Sequence, residues 1–146
     1  MIEIKEISSA ETHSVRHPVL RKGYPSDSCI FQGDNDKTTV HFGCFIEHNL
    51  VGVISLFQKE YHNFLATKPI QIRGMAVLNQ YRGLGYGNAL LKQAEQKALE
   101  NNCDFIWFNA RIDAVGFYER FGYQKYGSVF DIENVGKHFV MYKKLT

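Results

Sequence analysis

The apolar positions of this chain run in short blocks, and each block ends at glycine, proline or polar turn residues. Blocks of this length, with alternation or with many β-branched and aromatic residues, are typical of β-strands. The pattern predicts the strands Ile2–Ile7, Val40–Glu47, Leu50–Gln58, Ile70–Leu78, Asp104–Ala110, Tyr123–Phe130 and His138–Lys144. The second and third of these strands are close enough in sequence to form a hairpin through His48-Asn49.

Apolar residues at helical spacing separate these strands and predict the helices Ser9–Leu20, Gly83–Asn101 and Asp113–Phe121. We expect Asp113 to be the N-cap of the last helix and Gly122 to end it. In the long helix the predicted buried face carries Gly87, Leu91, Ala94 and Ala98. Residues 26–39 are polar and predict a loop. Together the elements predict an α/β (α+β) fold in a single domain, residues 1–146.

Composition excludes several classes of protein. The 146 residues are 45% hydrophobic, enough for one sizeable core, and the net charge of +2 suggests neither a nucleic-acid surface nor a membrane-binding face. The N-terminal residues alternate like a strand and do not resemble a signal peptide, so we expect a cytoplasmic protein. Cys29, Cys44 and Cys103 are widely spaced, which predicts reduced thiols and no metal site.

The most informative segment follows the fourth strand and reads Gln80-Tyr81-Arg82-Gly83-Leu84-Gly85-Tyr86-Gly87-Asn88. A strand, a glycine-rich turn and a helix start in this order can bind phosphate, because the first backbone N–H groups of a helix have no intrahelical acceptor. Glycine lets a phosphate approach the backbone without meeting a Cβ, and Arg82 adds a cation. The segment therefore predicts a phosphorylated ligand.

Three glycine-rich signatures compete for this segment. A dinucleotide-binding turn requires G-x-G-x-x-G, whereas Gly83, Gly85 and Gly87 follow a G-x-G-x-G order. An ATP-binding P-loop requires Lys-Ser/Thr after its last glycine, and Asn88 follows here instead. The remaining signature, Q/R-x-x-G-x-G/A, is matched by Gln80, Gly83 and Gly85. It resembles the pyrophosphate-binding signature of the GCN5-related N-acetyltransferases, the GNAT family.

A second segment strengthens this resemblance. Residues 109–123, Asn-Ala-Arg-Ile-Asp-Ala-Val-Gly-Phe-Tyr-Glu-Arg-Phe-Gly-Tyr, resemble the second signature of the family, A-x-x-F/L-Y-x-x-x-G-F/Y. The two signatures occur in the family's order, with one helix and one strand between them. Gly136 and His138 before the last strand, and the N-terminal segment 16–21, resemble the subgroup named after the bacterial ElaA protein.

The resemblance implies the GNAT-type acyl-CoA fold, with a mixed, mostly antiparallel sheet of about six to seven strands, about four helices and a splayed strand pair that holds acetyl-CoA. It implies that backbone groups of Met75, Ala76 and Val77 bind the pantetheine arm. It assigns the pyrophosphate to Arg82, Gly83, Leu84, Gly85, Tyr86, Gly87 and Asn88. Many members have Asn three residues before the alanine of the second signature. Arg111 takes that place here and Asn109 precedes it, so both are candidate site members.

The resemblance also implies transfer of an acetyl group to an amine by direct transfer in a ternary complex, without a metal. Tyr118 occupies the position of the family's common acid, which protonates the leaving thiolate. For the base, His138 is the best candidate, with a structural histidine or a chain of waters as the alternatives. Another acyl donor, or an acyl-CoA sensor without transfer activity, remains open as a function.

The acceptor is the part that these residues leave unnamed. We expect a small-molecule or peptide amine, no nucleic acid or membrane partner, and a two-fold dimer as the default assembly. Arg16, His17 and Arg21 either bind an anionic group of the acceptor or form a solvated helix face, and the second interpretation is favoured.

Overall fold

The computed structural model describes residues 1–145, which form seven strands and three α-helices. In chain order these are β1 (Ile2–Ile7), α1 (His13–Leu20), β2 (Val40–Ile46), β3 (Asn49–Gln58), β4 (Pro69–Val77), α2 (Tyr86–Glu100), β5 (Phe105–Arg111), α3 (Val115–Glu119), β6 (Gln124–Ile132) and β7 (Gly136–Lys144). All seven predicted strands are confirmed, with shifts of a few residues at their ends.

The strands form one sheet in the order β1-β2-β3-β4-β5-β7-β6. Every neighbouring pair is antiparallel except β4 and β5, which are parallel. The predicted mixed, mostly antiparallel sheet is therefore confirmed. The described residues contain three α-helices and not about four, because the remaining helical segments are 3₁₀ turns of three or four residues.

Three helix starts differ from the prediction. Helix α1 begins at His13 and not at Ser9, after a 3₁₀ turn over Ala10–Thr12. The long helix α2 begins at Tyr86 and not at Gly83, because Gly83 and Gly85 have φ angles of 77° and 89°, outside the helical range. Helix α3 begins at Val115 after a 3₁₀ turn over Ile112–Ala114, so Asp113 lies in that turn and does not cap the helix.

The sheet carries a core on each face. Helix α2 buries Leu90, Leu91, Ala94 and Ala98 against one face, which confirms three of the four residues predicted for its inner side. On the other face Val15 of α1 packs with Ile7, Val53 and Ala76. Residues of β4 therefore alternate between two buried environments, and each face of this strand meets a different helix.

The parallel pair β4–β5 is short and closed at one end only. Three residue pairs join the strands, from Pro69 opposite Phe105 to Gln71 opposite Trp107. At this closed end the Asp104 carboxylate accepts hydrogen bonds from the backbone N–H groups of Thr67 and Lys68, at 2.8 and 2.9 Å. Asp104 therefore ties the chain before β4 to the chain before β5.

The Asp104 clamp gives a pH-dependent prediction. The two backbone donors hold the pKa of Asp104 below its usual value. A lowered pKa means that the stabilisation is present above the unfolded-state pKa of about 3.9 and is lost as pH falls through the folded-state pKa. Asp104→Asn should lower the melting temperature by a few degrees at pH 7, and the difference should vanish near pH 2.

Thermal unfolding followed by circular dichroism from pH 2 to 7 measures this effect. Asp27→Asn is the matched control, since Asp27 is an exposed loop carboxylate. If Asp104→Asn lowered the melting temperature equally at every pH, the stabilising role of the ionised Asp104 carboxylate would be contradicted.

Candidate active site

The site is a cleft of about 820 Å³ that opens where β4 and β5 separate. Beyond Gln71 strand β4 is paired with β3 only, while β5 continues along β7 as far as Arg111 opposite His138. Met75, Ala76 and Val77 line the cleft on the unpaired side of β4. Backbone groups on such an edge can hydrogen-bond a peptide-like ligand as another strand would.

A β-bulge interrupts β4 at the cleft. The register shifts between Val53 and Ser55 of β3, so that Gly74 and Met75 together stand opposite Ile54. Gly74 has a φ angle of 64°, as the first residue of this type of bulge requires. The bulge bends the strand and re-aims the backbone of Met75 and Ala76 at the position where the strands separate.

The glycine-rich loop forms the second wall. Gly83 and Gly85 have left-handed backbone conformations, and a Cβ at either would meet no atom within 4 Å, so backbone conformation and not crowding requires glycine. Ala89 donates the first helical hydrogen bond, to the carbonyl of Gly85. Within residues 1–145 the N–H groups of Tyr86, Gly87 and Asn88 have no acceptor, and the helix dipole adds positive potential there. This is a backbone site suited to a phosphate group.

Helix α2 approaches β4 closely next to this loop. A Cβ at Gly87 would lie 3.2 Å from Cε of Met75 and 3.8 Å from Cζ of Phe117. The Arg82 side chain reaches back from the loop to the carbonyl of Val77, with Nε 3.4 Å from that oxygen. These contacts fix the loop relative to the open edge of β4, so the phosphate site and the unpaired strand form one continuous surface.

Tyr118 lies between strand β4 and the core. Its hydroxyl is 3.8 Å from Sδ of Met75, and its ring packs on Phe108 with 4.4 Å between centroids. Burial raises the pKa of Tyr118 to about 12, so the phenol is a proton donor at neutral pH. It also lines the cleft.

His138 enters the same cleft from β7. The residue is buried, and its Nδ1 lies 2.8 Å from the carbonyl oxygen of Gly136. A carbonyl can only accept, so Nδ1 donates and the neutral ring carries its lone pair on Nε2. The exposed side chains of Asn109 and Arg111 border the cleft on the adjacent strand β5.

The cleft therefore brings together all the predicted site residues except one. Lining side chains or backbone come from Met75, Ala76, Val77, Arg82, Gly83, Gly85, Tyr86, Gly87, Asn88, Asn109, Arg111, Tyr118 and His138. Leu84 does not line it and is 62% exposed. Its assignment, like the binding and catalytic roles of the others, stays a prediction.

One prediction about the basic helix is wrong. Arg16 does not belong to a solvated face, because its side chain is completely buried and forms a bidentate ion pair with Asp34 at 2.7 and 3.0 Å. Burial alone would raise the pKa of Asp34, but hydrogen bonds from Arg16 and from the N–H of Phe31 hold it below its usual value. His17 contacts the carbonyl of Tyr24 through Nε2 at 2.8 Å, so its hydrogen bond is local.

The basic end of the cleft was predicted only in part, since Arg21 was one of the candidates for binding an anionic group, whereas Phe31 and Arg73 were not. Arg21, Phe31 and Arg73 all line it, and the guanidinium carbons of Arg21 and Arg73 lie 5.1 and 4.7 Å from the Phe31 ring centre. The pKa of Arg73 is lowered, first by burial and then by the charge of Arg16. The sequence did contain a signal that Arg16 is buried, because in α1 it lies on the apolar side with Val19 and Leu20.

Residues 1–145 contain no group of three or more His, Cys, Asp or Glu side chains arranged to hold a metal ion. In the same residues no helix combines the length and the hydrophobicity that crossing a membrane requires. The three cysteines are free and buried, as predicted.

Known proteins share this architecture. Residues 4–123 match the sequence profile described as "Acetyltransferase (GNAT) family". A Bacillus subtilis (strain 168) protein named "Uncharacterized N-acetyltransferase YitI" is 34% identical over 145 residues, which cover 99% of this chain and 97% of that protein.

Solved structures resemble the chain over nearly its whole length. Escherichia coli ElaA superposes with a TM-score of 0.79 at 19% identity, covering 98% of this chain and 99% of that one. An aminoglycoside 6'-N-acetyltransferase complexed with coenzyme A superposes with a TM-score of 0.77 at 14% identity, covering 99% and 97%. At these identities the structures show the shared fold, and the profile and the relative show the family: this chain belongs to the GNAT family and is an acetyltransferase.

Proposed function

We propose that this enzyme transfers the acetyl group of acetyl-CoA directly to the amine of an acceptor that also carries an acidic group. The observation that carries the proposal is the cleft itself, where an unpaired strand edge, an unsatisfied helix start and a basic end are continuous. The first two parts suit the donor, and the third suits the acceptor.

The chain's residues fit coenzyme A at the donor end. The N–H groups of Tyr86, Gly87 and Asn88, with the Arg82 cation, suit the pyrophosphate. The open edge of Met75–Val77 suits the amide groups of pantetheine. A related fold, the aminoglycoside 6'-N-acetyltransferase, is known in complex with coenzyme A, which supports the assignment. The three free cysteines fit a reducing, cytoplasmic setting.

The chemistry requires a base, an acid and a donor to the developing oxyanion. Bound acetyl-CoA supplies the thioester, whose C–S bond breaks as the amine nitrogen forms its bond to the acetyl carbon. A backbone N–H of the bulged segment Met75–Val77 can donate to the thioester oxygen. The Tyr118 phenol, protonated at neutral pH, gives its proton to the sulfur of the leaving group.

The amine must lose a proton, and His138 is the proposed acceptor of that proton. Its Nδ1–H is engaged with the Gly136 carbonyl, which leaves Nε2 as the lone pair on the ring. The residue lines the same cleft as Tyr118. The proposed acid and base therefore come from different elements, α3 and β7. The Tyr118 ring is held by packing on Phe108, and the His138 ring is held by its hydrogen bond to the Gly136 carbonyl.

The acidic group of the acceptor is inferred from charge. Arg21, Arg73 and Arg111 line the cleft, and none of the salt bridges within residues 1–145 involves these three side chains. Asp113 is the carboxylate in the lining beside these three cations, while Asp131 of β6 and Glu133 after it are exposed and do not line the cleft. Guanidinium groups bind carboxylate and phosphate with two parallel hydrogen bonds, so an acidic amine suits this end better than a polycation.

The glycine loop gives the first prediction. Gly85→Ala adds a Cβ in open space but at a left-handed φ that costs about 1–2 kcal/mol for L-residues. The affinity for coenzyme A, measured by calorimetry, should fall about tenfold or more. Gly116→Ala is the matched control, since its added Cβ also meets open space at an ordinary φ. If the two variants bound coenzyme A with equal affinity, the assignment of this loop to the binding site would be contradicted.

Tyr118 gives the second prediction. Tyr118→Phe keeps the ring but removes the donor, so kcat should fall about 10²- to 10⁴-fold while coenzyme A affinity stays unchanged. Because the pKa of Tyr118 is about 12, the wild-type rate should not decline from phenol ionisation below about pH 11. Coenzyme A binding without transfer by the wild type, with the acceptors below, would favour the sensor function.

The third prediction concerns the acceptor. Thiol release should be faster with L-aspartate than with its diamide, which lacks both carboxylates, and faster with 2-aminoethyl phosphate than with ethanolamine, by about tenfold in kcat/KM. Arg73→Gln should abolish most of this preference and leave coenzyme A affinity unchanged. Indifference of the wild type to the acidic group would reject the acidic acceptor but not the transferase.

A further inference from the structure

A buried network lies directly beneath the basic end of the cleft. Arg16 donates to Asp34 twice, to the carbonyl of Cys29 at 2.8 Å and to Oγ of Ser55 at 3.0 Å. Asp34 in turn accepts from the N–H of Phe31 at 2.8 Å. The network therefore attaches the loop that follows α1 to strand β3 at the centre of the sheet.

The far side of the network continues to His41. The carbonyl of Asp34 can only accept, so His41 donates to it through Nε2, at 2.9 Å. In the neutral ring Nδ1 then accepts from the Ser55 hydroxyl, at 2.6 Å. Ser55 and His41 complete the hydrogen bonding on the β2–β3 side and do not border the cleft.

Phe31 is where this network meets the cleft. The guanidinium carbon of Arg16 lies 3.9 Å from the centre of its ring, and Arg73 and Arg21 approach the same ring at 4.7 and 5.1 Å. Three guanidinium groups so close together repel one another. The aromatic π-face attracts each cation, and Asp34 supplies a neutralising charge.

Gly74 leaves the space that this arrangement needs. A Cβ at Gly74 would lie 3.0 Å from Cε2 of Phe31 and 3.2 Å from Nε of Arg16. The bulge of β4 therefore packs directly on the Arg16–Phe31 contact. The second residue of the bulge, Met75, is the one that Tyr118 contacts, so the two ends of the cleft share this support.

We propose that Arg16, Asp34 and Phe31 are positioning residues that hold Arg73 and Arg21 toward the acidic group of the acceptor. This inference rests on the proposed function, because it concerns the same acceptor end. A buried ion pair is weak evidence for stability, since well-packed apolar residues often serve as well. Its position under the Phe31 ring gives it a role in the orientation of the cationic side chains.

Two substitutions test the inference by different routes. Asp34→Asn keeps the shape but removes the charge and one strong acceptor, and Phe31→Leu keeps an apolar side chain but removes the π-face. Both should raise KM for L-aspartate and for 2-aminoethyl phosphate about tenfold or more. Neither should change kcat or coenzyme A affinity by more than about twofold, since the donor end is untouched.

Ser55→Ala is the matched control, because it removes two hydrogen bonds from the same buried network, to Arg16 and to His41, without touching Phe31. It should lower the melting temperature but leave KM for both acceptors within about twofold of the wild type. The preference for L-aspartate over its diamide should shrink in Asp34→Asn and in Phe31→Leu and persist in Ser55→Ala. Assays at low temperature, where the folded state of Asp34→Asn and Phe31→Leu is more populated, should still give the raised KM.

The outcomes separate this inference from the proposed function. If the wild type prefers acidic amines but all three variants raise KM alike, the network is only structural and the inference is overturned. The same conclusion follows if the affinity for coenzyme A falls in the variants whose KM for the acceptor rises. If the wild type shows no preference for acidic amines, the acidic acceptor itself is rejected and the positioning role is rejected with it. Should Asp34→Asn not fold, Phe31→Leu alone decides.

Discussion

The short parallel contact between β4 and β5 is the constraint on which the rest of this structure depends. Three residue pairs and the Asp104 carboxylate hold the strands together at one end, and beyond Gln71 they separate. An open strand edge inside a sheet would ordinarily be a liability, because its backbone groups lack partners. Here the edge faces a cleft, so the unpaired groups of β4 are available to a ligand.

The two faces of β4 contact different parts of the site. Ile70 and Ile72 point into the core beneath α2, and that packing holds the start of α2 beside the strand. Gln71 and Arg73 point to the opposite face, where Gln71 is buried and Phe31, from the loop after α1, packs on Arg73. The alternation of side chains along one strand thus links the glycine-rich loop on one side to the basic end on the other.

Burial also sets the protonation states on which the proposed chemistry depends. The Tyr118 phenol is kept protonated because its anion would be poorly solvated among Phe108, Phe117 and Met75. The His138 ring is oriented by one backbone carbonyl, which fixes the nitrogen that is free. Neither effect depends on a neighbouring charge, so both persist at high salt, unlike the attraction between the basic end and an acidic acceptor.

What the sequence by itself determined were the elements whose signals are local. Alternation predicted the seven strands, helical spacing predicted the buried face of α2, and the order of Gln80, Gly83 and Gly85 predicted the phosphate loop, because backbone conformation at glycine is a property of a few adjacent residues. The resemblance assigned catalytic roles to Tyr118 and His138. Both residues line the cleft, and their roles stay predictions.

Only the tertiary structure decided how Arg16, Asp34 and Phe31 are used. A charged residue on a short helix and an aspartate in a polar turn are each solvated by default, and their pairing across the loop depends on where β3 and β4 place that loop. The 3₁₀ turn before α3 and the bulge at Gly74 are decided in the same way, by contacts between segments distant in sequence. Local propensity fixes which segments form, whereas burial and charge compensation between segments fix which side chains line the basic end of the cleft.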